Sequence, residues 1–156
     1  MNNNEKFMLR AIKLSKESVD NNGGPFGCII VKNTKIIAEG SNQVTKNNDP
    51  TAHAEIVAIR DACQKLQTFD LSGVELYTSC EPCPMCLSAI YWSHIDKVFY
   101  GNTRLDAARI GFDDNFIYDE LSIDINKRKI PLKQINQKQA LISFKEWELK
   151  EDKIKY

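Results

Sequence analysis

A chain of 156 residues with 21 Lys+Arg against 21 Asp+Glu has the length of one ordinary domain and no formal net charge. With 42% hydrophobic and 27% charged residues, it falls outside disordered, collagen-like and low-complexity compositions. No apolar run approaches the ~18–20 residues of a membrane span, and the first residues lack a signal peptide's charged-then-apolar pattern, so a soluble, cytoplasmic protein is expected. Neutrality also weighs against a protein whose main task is gripping nucleic acid. The charge is unevenly placed, with a formal −4 over residues 1–120 and +4 over residues 121–156.

Residues 5–20 carry a helical period, with Met8, Ile12, Ser15 and Val19 on one face and Phe7, Ala11 and Leu14 beside it. Asn21-Asn22-Gly23-Gly24-Pro25 ends that helix. Phe26 to Lys32 and Lys35 to Glu39 are β-rich runs around Asn33-Thr34, the pattern of a hairpin. Asp49-Pro50 predicts a helix start, with Asp49 as N-cap and a buried stripe of Ile56, Ile59, Cys63 and Leu66. A strand over Val74 to Thr78, a helix over Pro84 to Trp92, a strand over Lys97 to Gly101 and a helical turn over Thr103 to Ala108 follow. Gly111 to Phe116 has the composition of a packed functional loop. Ile130 to Ile135 predicts a last strand, and Lys138 to Lys150 a last helix with Phe144 and Trp147 in the core. The order implies one α/β domain over residues 1–156, a mixed central sheet with helices on both faces in three α/β/α layers.

The five cysteines are Cys28, Cys63, Cys80, Cys83 and Cys86. Three of them lie within seven residues, which suits a metal better than a disulfide framework. Cys83 and Cys86 share one side of a first helical turn and can chelate one ion. His53 opens another predicted helix, and a metal between them sits off the two N-termini, where positive potential favours thiolates. One His and two Cys leave the fourth position of tetrahedral Zn²⁺ open to water, the catalytic pattern. Two thiolates cancel the ion's formal charge, so a nearby base is useful, and Glu55 supplies one. On a regular helix His53 and Glu55 are about 200° apart, so they converge only beyond the helix end. A closed site of His53 with Cys80, Cys83 and Cys86 is the alternative, with Cys80 otherwise packed behind the site. Cys28 and Cys63 fit buried apolar positions, and His94 a structural or surface one.

His53-Ala54-Glu55 with Pro82-Cys83-Pro84-Met85-Cys86 is the signature of the zinc nucleobase deaminases. The chain resembles the cytidine deaminase superfamily from about residue 5 onward. Within it the chain is most similar to the bacterial guanine deaminases, through Gly24-Pro25-Phe26-Gly27, Ser41-Asn42, Asp49 to Glu55, Ser79 to Cys86, Gly111 to Asp114 and Tyr156. The resemblance implies one Zn²⁺ per chain and hydrolysis of guanine to xanthine and ammonia, with Glu55 carrying the proton. It implies Phe26 and Trp92 around the purine ring, although both fit a core equally well. It further implies Asn42 at a ring edge, the Ala54 amide as a further contact, and Asp114 reading the purine's donors. Finally, it implies a homodimer with an exchanged C-terminal segment, in which Asp114 and Tyr156 serve the partner's pocket. A tRNA adenosine deaminase shares both zinc motifs and is the rival, beside a deaminase of cytosine or another small nucleobase; a zinc-stabilised binding module is a rival of a different class, disfavoured by Glu55 and the open coordination position.

Overall fold

The computed structural model describes residues 2–156. The chain divides into two compact units, one ending at Asp114 and the other formed by Asn115–Tyr156. The first unit runs α1 (Asn3–Asp20), β1 (Gly27–Lys32), β2 (Lys35–Ser41), α2 (Val44–Asn47), α3 (Ala54–Leu66), β3 (Glu75–Cys80), α4 (Pro84–Trp92), β4 (Lys97–Asn102) and α5 (Arg104–Arg109). The second holds α6 (Asn115–Ser122), a 3₁₀ turn at Ile125–Lys127 and α7 (Gln137–Leu149).

The four strands lie in the order β2-β1-β3-β4, with β1 antiparallel to β2 and β3, and β4 parallel to β3. The sheet is therefore mixed, and successive β1 residues feed opposite faces. Cys28 and Ile30 join Ala54, Ala58, Ile59, Leu76 and Ile90 in a core shared with α3 and α4. Ile29 and Val31 join Ala11, Leu14 and Tyr77 on the α1 side, where Tyr77 stacks on Phe99 with ring centroids 4.6 Å apart. Arg10 of α1 forks onto Glu39 of β2, with Nε to Oε1 at 2.7 Å, and tethers the helix to the edge strand.

Several expectations change. The buried face of α1 is Ala11, Leu14 and Ser18, while Ile12 and Val19 are exposed. Gly27 explains the rotation: a Cβ there would lie 2.4 Å from the Ala11 carbonyl oxygen and 2.7 Å from Leu14 Cβ, so helix and strand meet at that side. Asp49 does not cap α3. Its Oδ1 accepts from the Thr51 amide at 2.8 Å and the Thr51 hydroxyl at 2.7 Å, which builds a turn and delays the helix to Ala54. Ile130 to Ile135 is not a strand, since Pro131 withholds an amide and the segment pairs with no strand. Phe144 and Trp147 are exposed on α7 rather than core, and Cys63 is half-buried against the α3 core.

Gly40 sets how closely α3 approaches the sheet. A Cβ on it would lie 2.2 Å from the Ala54 carbonyl oxygen and 2.7 Å from the Ala58 amide nitrogen, both rigid backbone atoms. Gly40→Ala is expected to destabilise the fold by about 3 kcal/mol, read by chemical denaturation, because neither atom can yield without moving α3. A loss below ~0.5 kcal/mol would show that α3 shifts freely.

Candidate metal centre and active site

Two helix starts build the site. His53 and Cys83 are the N-cap residues of α3 and α4, both extended (φ −68°, ψ 156° and φ −65°, ψ 168°), and neither side chain caps its own helix. An ordinary Ser or Asp cap contributes about 1 kcal/mol there. Here both positions spend their side chains on each other instead. Pro84 at the first position of α4 needs no amide partner, and one turn of that helix brings Cys86 beside Cys83. Leaving the helical path at residue 53 is also what lets the imidazole converge with groups on a helix that begins at Ala54.

His53 Nδ1 lies 3.6 Å from Cys83 Sγ and 3.5 Å from Cys86 Sγ, and the three donor atoms fall within 4.8 Å of one another. Tetrahedral zinc, with bonds of about 2.0–2.1 Å to nitrogen and 2.3 Å to sulfur, places N and S about 3.5 Å apart. The donor set fits that ion in both chemistry and spacing. Without metal, the thiols share a proton. Cys83 is drawn down to about 4, first by the hydrogen bond from Cys86 and then by His53, against the opposing effect of burial. Cys86 is pushed far up, first by donating to Cys83 and then by burial and the Glu55 charge. The hydrogen bond with Cys83 in turn raises the His53 imidazole. Cys80 stands outside the donor set: its buried thiol donates to the Thr103 carbonyl at 3.7 Å and is raised to about 11, chiefly by burial.

Glu55 is the second residue of α3 and, among the described residues, the only charged side chain that is buried. Its Oε2 accepts from Cys86 Sγ at 3.4 Å and its Oε1 from the Thr78 hydroxyl at 3.1 Å. Burial raises its pKa, opposed by its own backbone amide, Thr78 and Cys86. A carboxylate so placed, beside a metal donor set and readier than usual to hold a proton, is suited to proton transfer.

The structure also groups several of the expected ring-binding residues. The Asn42 amide donates to the Phe26 carbonyl at 3.1 Å, and Asn42 Oδ1 accepts from the Val44 amide at 3.2 Å, which fixes the direction of that side chain. Phe26 meets Phe112 edge-on with ring centroids 4.9 Å apart. Ala54 is the buried first residue of α3, where helical amides have no partner along the helix. Burial raises the Asp114 carboxyl, and the charge of Cys83 raises it further. Trp92 and Tyr156 are 66% and 73% exposed. Two residues join these beyond the expected set: Phe112, which the sequence marks only as part of its loop, and Thr78, which it marks only as a strand residue.

Residues 1–102 match the family described as the cytidine and deoxycytidylate deaminase zinc-binding region. The chain belongs to that family. Its mixed sheet between helices is the cytidine-deaminase-like fold, and its metal is zinc. Guanine deaminase of Bacillus subtilis (strain 168) is 52% identical over 146 residues, covering 93% of this chain and 94% of that one. The X-ray structure of guanine deaminase from Bacillus subtilis aligns with a TM-score of 0.96 at 50% identity, covering 100% of this chain and 99% of that one. A tRNA-specific adenosine deaminase of Aquifex aeolicus is 44% identical over 96 residues, covering 62% of this chain and 64% of that one. None of the described helices is long and apolar enough to cross a membrane.

Proposed function

We propose that this chain is a zinc-dependent guanine deaminase, hydrolysing guanine to xanthine and ammonia. The observation that carries this reading is the 52% identity to the Bacillus subtilis guanine deaminase along 93% of the chain, higher and longer than the likeness to the Aquifex tRNA deaminase. His53, Cys83 and Cys86 would hold one ion and leave one position open. Zinc bound there supplies an acidified water as nucleophile at neutral pH. Glu55 takes a proton at Oε2, the oxygen turned toward the donor set, and returns it to the amine leaving the purine 2-position. Phe26 and Phe112 offer the ring an apolar wall, while Asn42 and the Ala54 amide meet its polar edge. Asp114 accepts from the purine's N–H groups and thereby selects guanine over adenine. Trp92 and Tyr156 complete the pocket as a rim, supplied in part across a dimer.

The test is ammonia release from a panel of guanine, guanosine, adenine, cytosine and a tRNA anticodon hairpin. Guanine is expected to react fastest by a wide margin. Turnover of the hairpin without turnover of free guanine would overturn the reading in favour of an RNA deaminase. The zero net charge favours a small base over a polyanion.

The same reading makes residues 1–156 one deaminase domain that works as a cytoplasmic homodimer with exchanged tails. None of the residues 115–156 is buried, and Phe116, Ile130, Phe144, Leu149 and Ile154 stand exposed among them. That much apolar surface on one chain calls for a second copy to cover it. Five free cysteines suit a reducing compartment. A dimer is expected by light scattering, and deleting residues 153–156 is expected to lower kcat/KM for guanine about tenfold with zinc content unchanged. An unaltered rate would remove the tail from the site.

A further inference from the structure

We propose that Thr78 is a positioning residue for the proton carrier: its hydroxyl, buried under α3, holds one oxygen of Glu55 so that the other faces the metal donor set. The inference rests on Glu55 being that carrier. Thr78 lies in the middle of β3, paired with Cys28 of β1, and is 1% exposed. Alternation puts it on the same face of the strand as Leu76, which is packed in the α3 core, while Tyr77 between them serves the opposite face. An apolar β-branched residue is the ordinary choice for such a place, and valine has the same shape as threonine. The hydroxyl is therefore what needs explaining.

Its partner is Glu55 Oε1, at 3.1 Å. The second oxygen, Oε2, is 3.4 Å from Cys86 Sγ. The two contacts divide the carboxylate into a held oxygen and a working one. Glu55 leaves the first turn of α3, a helix seated on the sheet at Gly40, whereas Thr78 belongs to the sheet itself. The hydrogen bond thus ties the angle of the carboxylate to the rigid layer on which both helix starts rest. A carboxylate can rotate about its last bond. Without the hydroxyl, the carboxylate keeps only its own backbone amide and the donor-set contact, and the working oxygen loses its tie to the sheet.

Loss of an orienting partner next to a metal site costs about 10- to 100-fold in activity. Thr78→Val in the zinc-loaded enzyme is expected to lower kcat for guanine within that range, with KM within about twofold and one zinc per chain retained. Thr78→Ser, which keeps the hydroxyl and loses the methyl, is expected to recover most of the lost kcat. A merely structural role would give the reverse order, sparing Thr78→Val, which keeps the shape, and impairing Thr78→Ser, which loses the methyl. Equal kcat in Thr78→Val and the unaltered protein, or equal loss in Thr78→Val and Thr78→Ser, would overturn the proposal. So would a Thr78→Val defect that disappears once rates are expressed per bound zinc. Glu55→Gln, assayed alongside, separates the two levels: if it keeps full activity, the reading of Glu55 itself fails, whereas if it is inactive while Thr78→Val is unimpaired, only the role of Thr78 fails.

Discussion

Glu55→Gln is expected to lower kcat for guanine by about 10³-fold while leaving one zinc per chain, because general acid–base transfer contributes about 10²- to 10⁴-fold and glutamine cannot carry the proton. The substitution is nearly isosteric at a buried position, and the amide oxygen can still accept from the Thr78 hydroxyl. It also removes the only buried charge among the described residues, so stability is expected to hold or rise slightly. Cys86 loses a carboxylate neighbour but keeps Cys83 and His53, so the donor set stays intact. KM is expected to change little, because the groups assigned to the ring lie elsewhere, on Phe26, Asn42 and Asp114. Steady-state rates with metal analysis and a thermal melt on the same sample decide the matter. A variant within tenfold of the unaltered protein, with full zinc, would mean that another group moves the proton.

The chemistry of the site was legible because it is written at short range. Cys83, Pro84 and Cys86 fall within one turn, so the cap, the helix start and the paired sulfurs follow from spacing alone, and the helix over Pro84 to Trp92 appears as expected. The hairpin at Asn33-Thr34 is equally local, both residues taking left-handed backbone at φ 49° and 60°. The features that escaped depend on what meets what across the fold. Asp49 before proline reads as a helix cap until its carboxylate is seen holding Thr51. The rotated face of α1 is decided by a glycine in a strand, with no trace in the periodicity of the helix. A short segment such as Ile130 to Ile135 reads the same whether or not a neighbouring strand pairs with it, and among the described residues none does. Thr78 and Glu55 are 23 residues apart, and nothing in either segment announces that one hydroxyl was placed for the other.

His53→Ala and Cys83→Ala are expected to purify with little zinc, whereas Cys80→Ala keeps one per chain, although Cys80 lies only three residues from Cys83. Removing one of three protein donors leaves a two-point site, and the affinity loss exceeds the roughly 100-fold that follows removal of an outer partner. Cys80 is different in kind: burial holds its thiol near 11, so it keeps its proton at neutral pH, and its Sγ is turned to the Thr103 carbonyl. A thiol that does not ionise is a poor zinc ligand. Direct titration of the metal-free protein carries the point further. Cys83, at about 4, is already a thiolate at pH 7, while Cys86 still holds the proton that the pair shares. Zinc must displace that proton and any carried by His53, whose imidazole is also raised. Affinity is therefore expected to climb as pH rises from 6 to 8, with proton release on binding measurable in buffers of different ionisation enthalpy. A pH-independent affinity would mean that both thiols are already ionised in the metal-free site, and zinc loss in Cys80→Ala equal to that in Cys83→Ala would point to a site closed by four protein ligands.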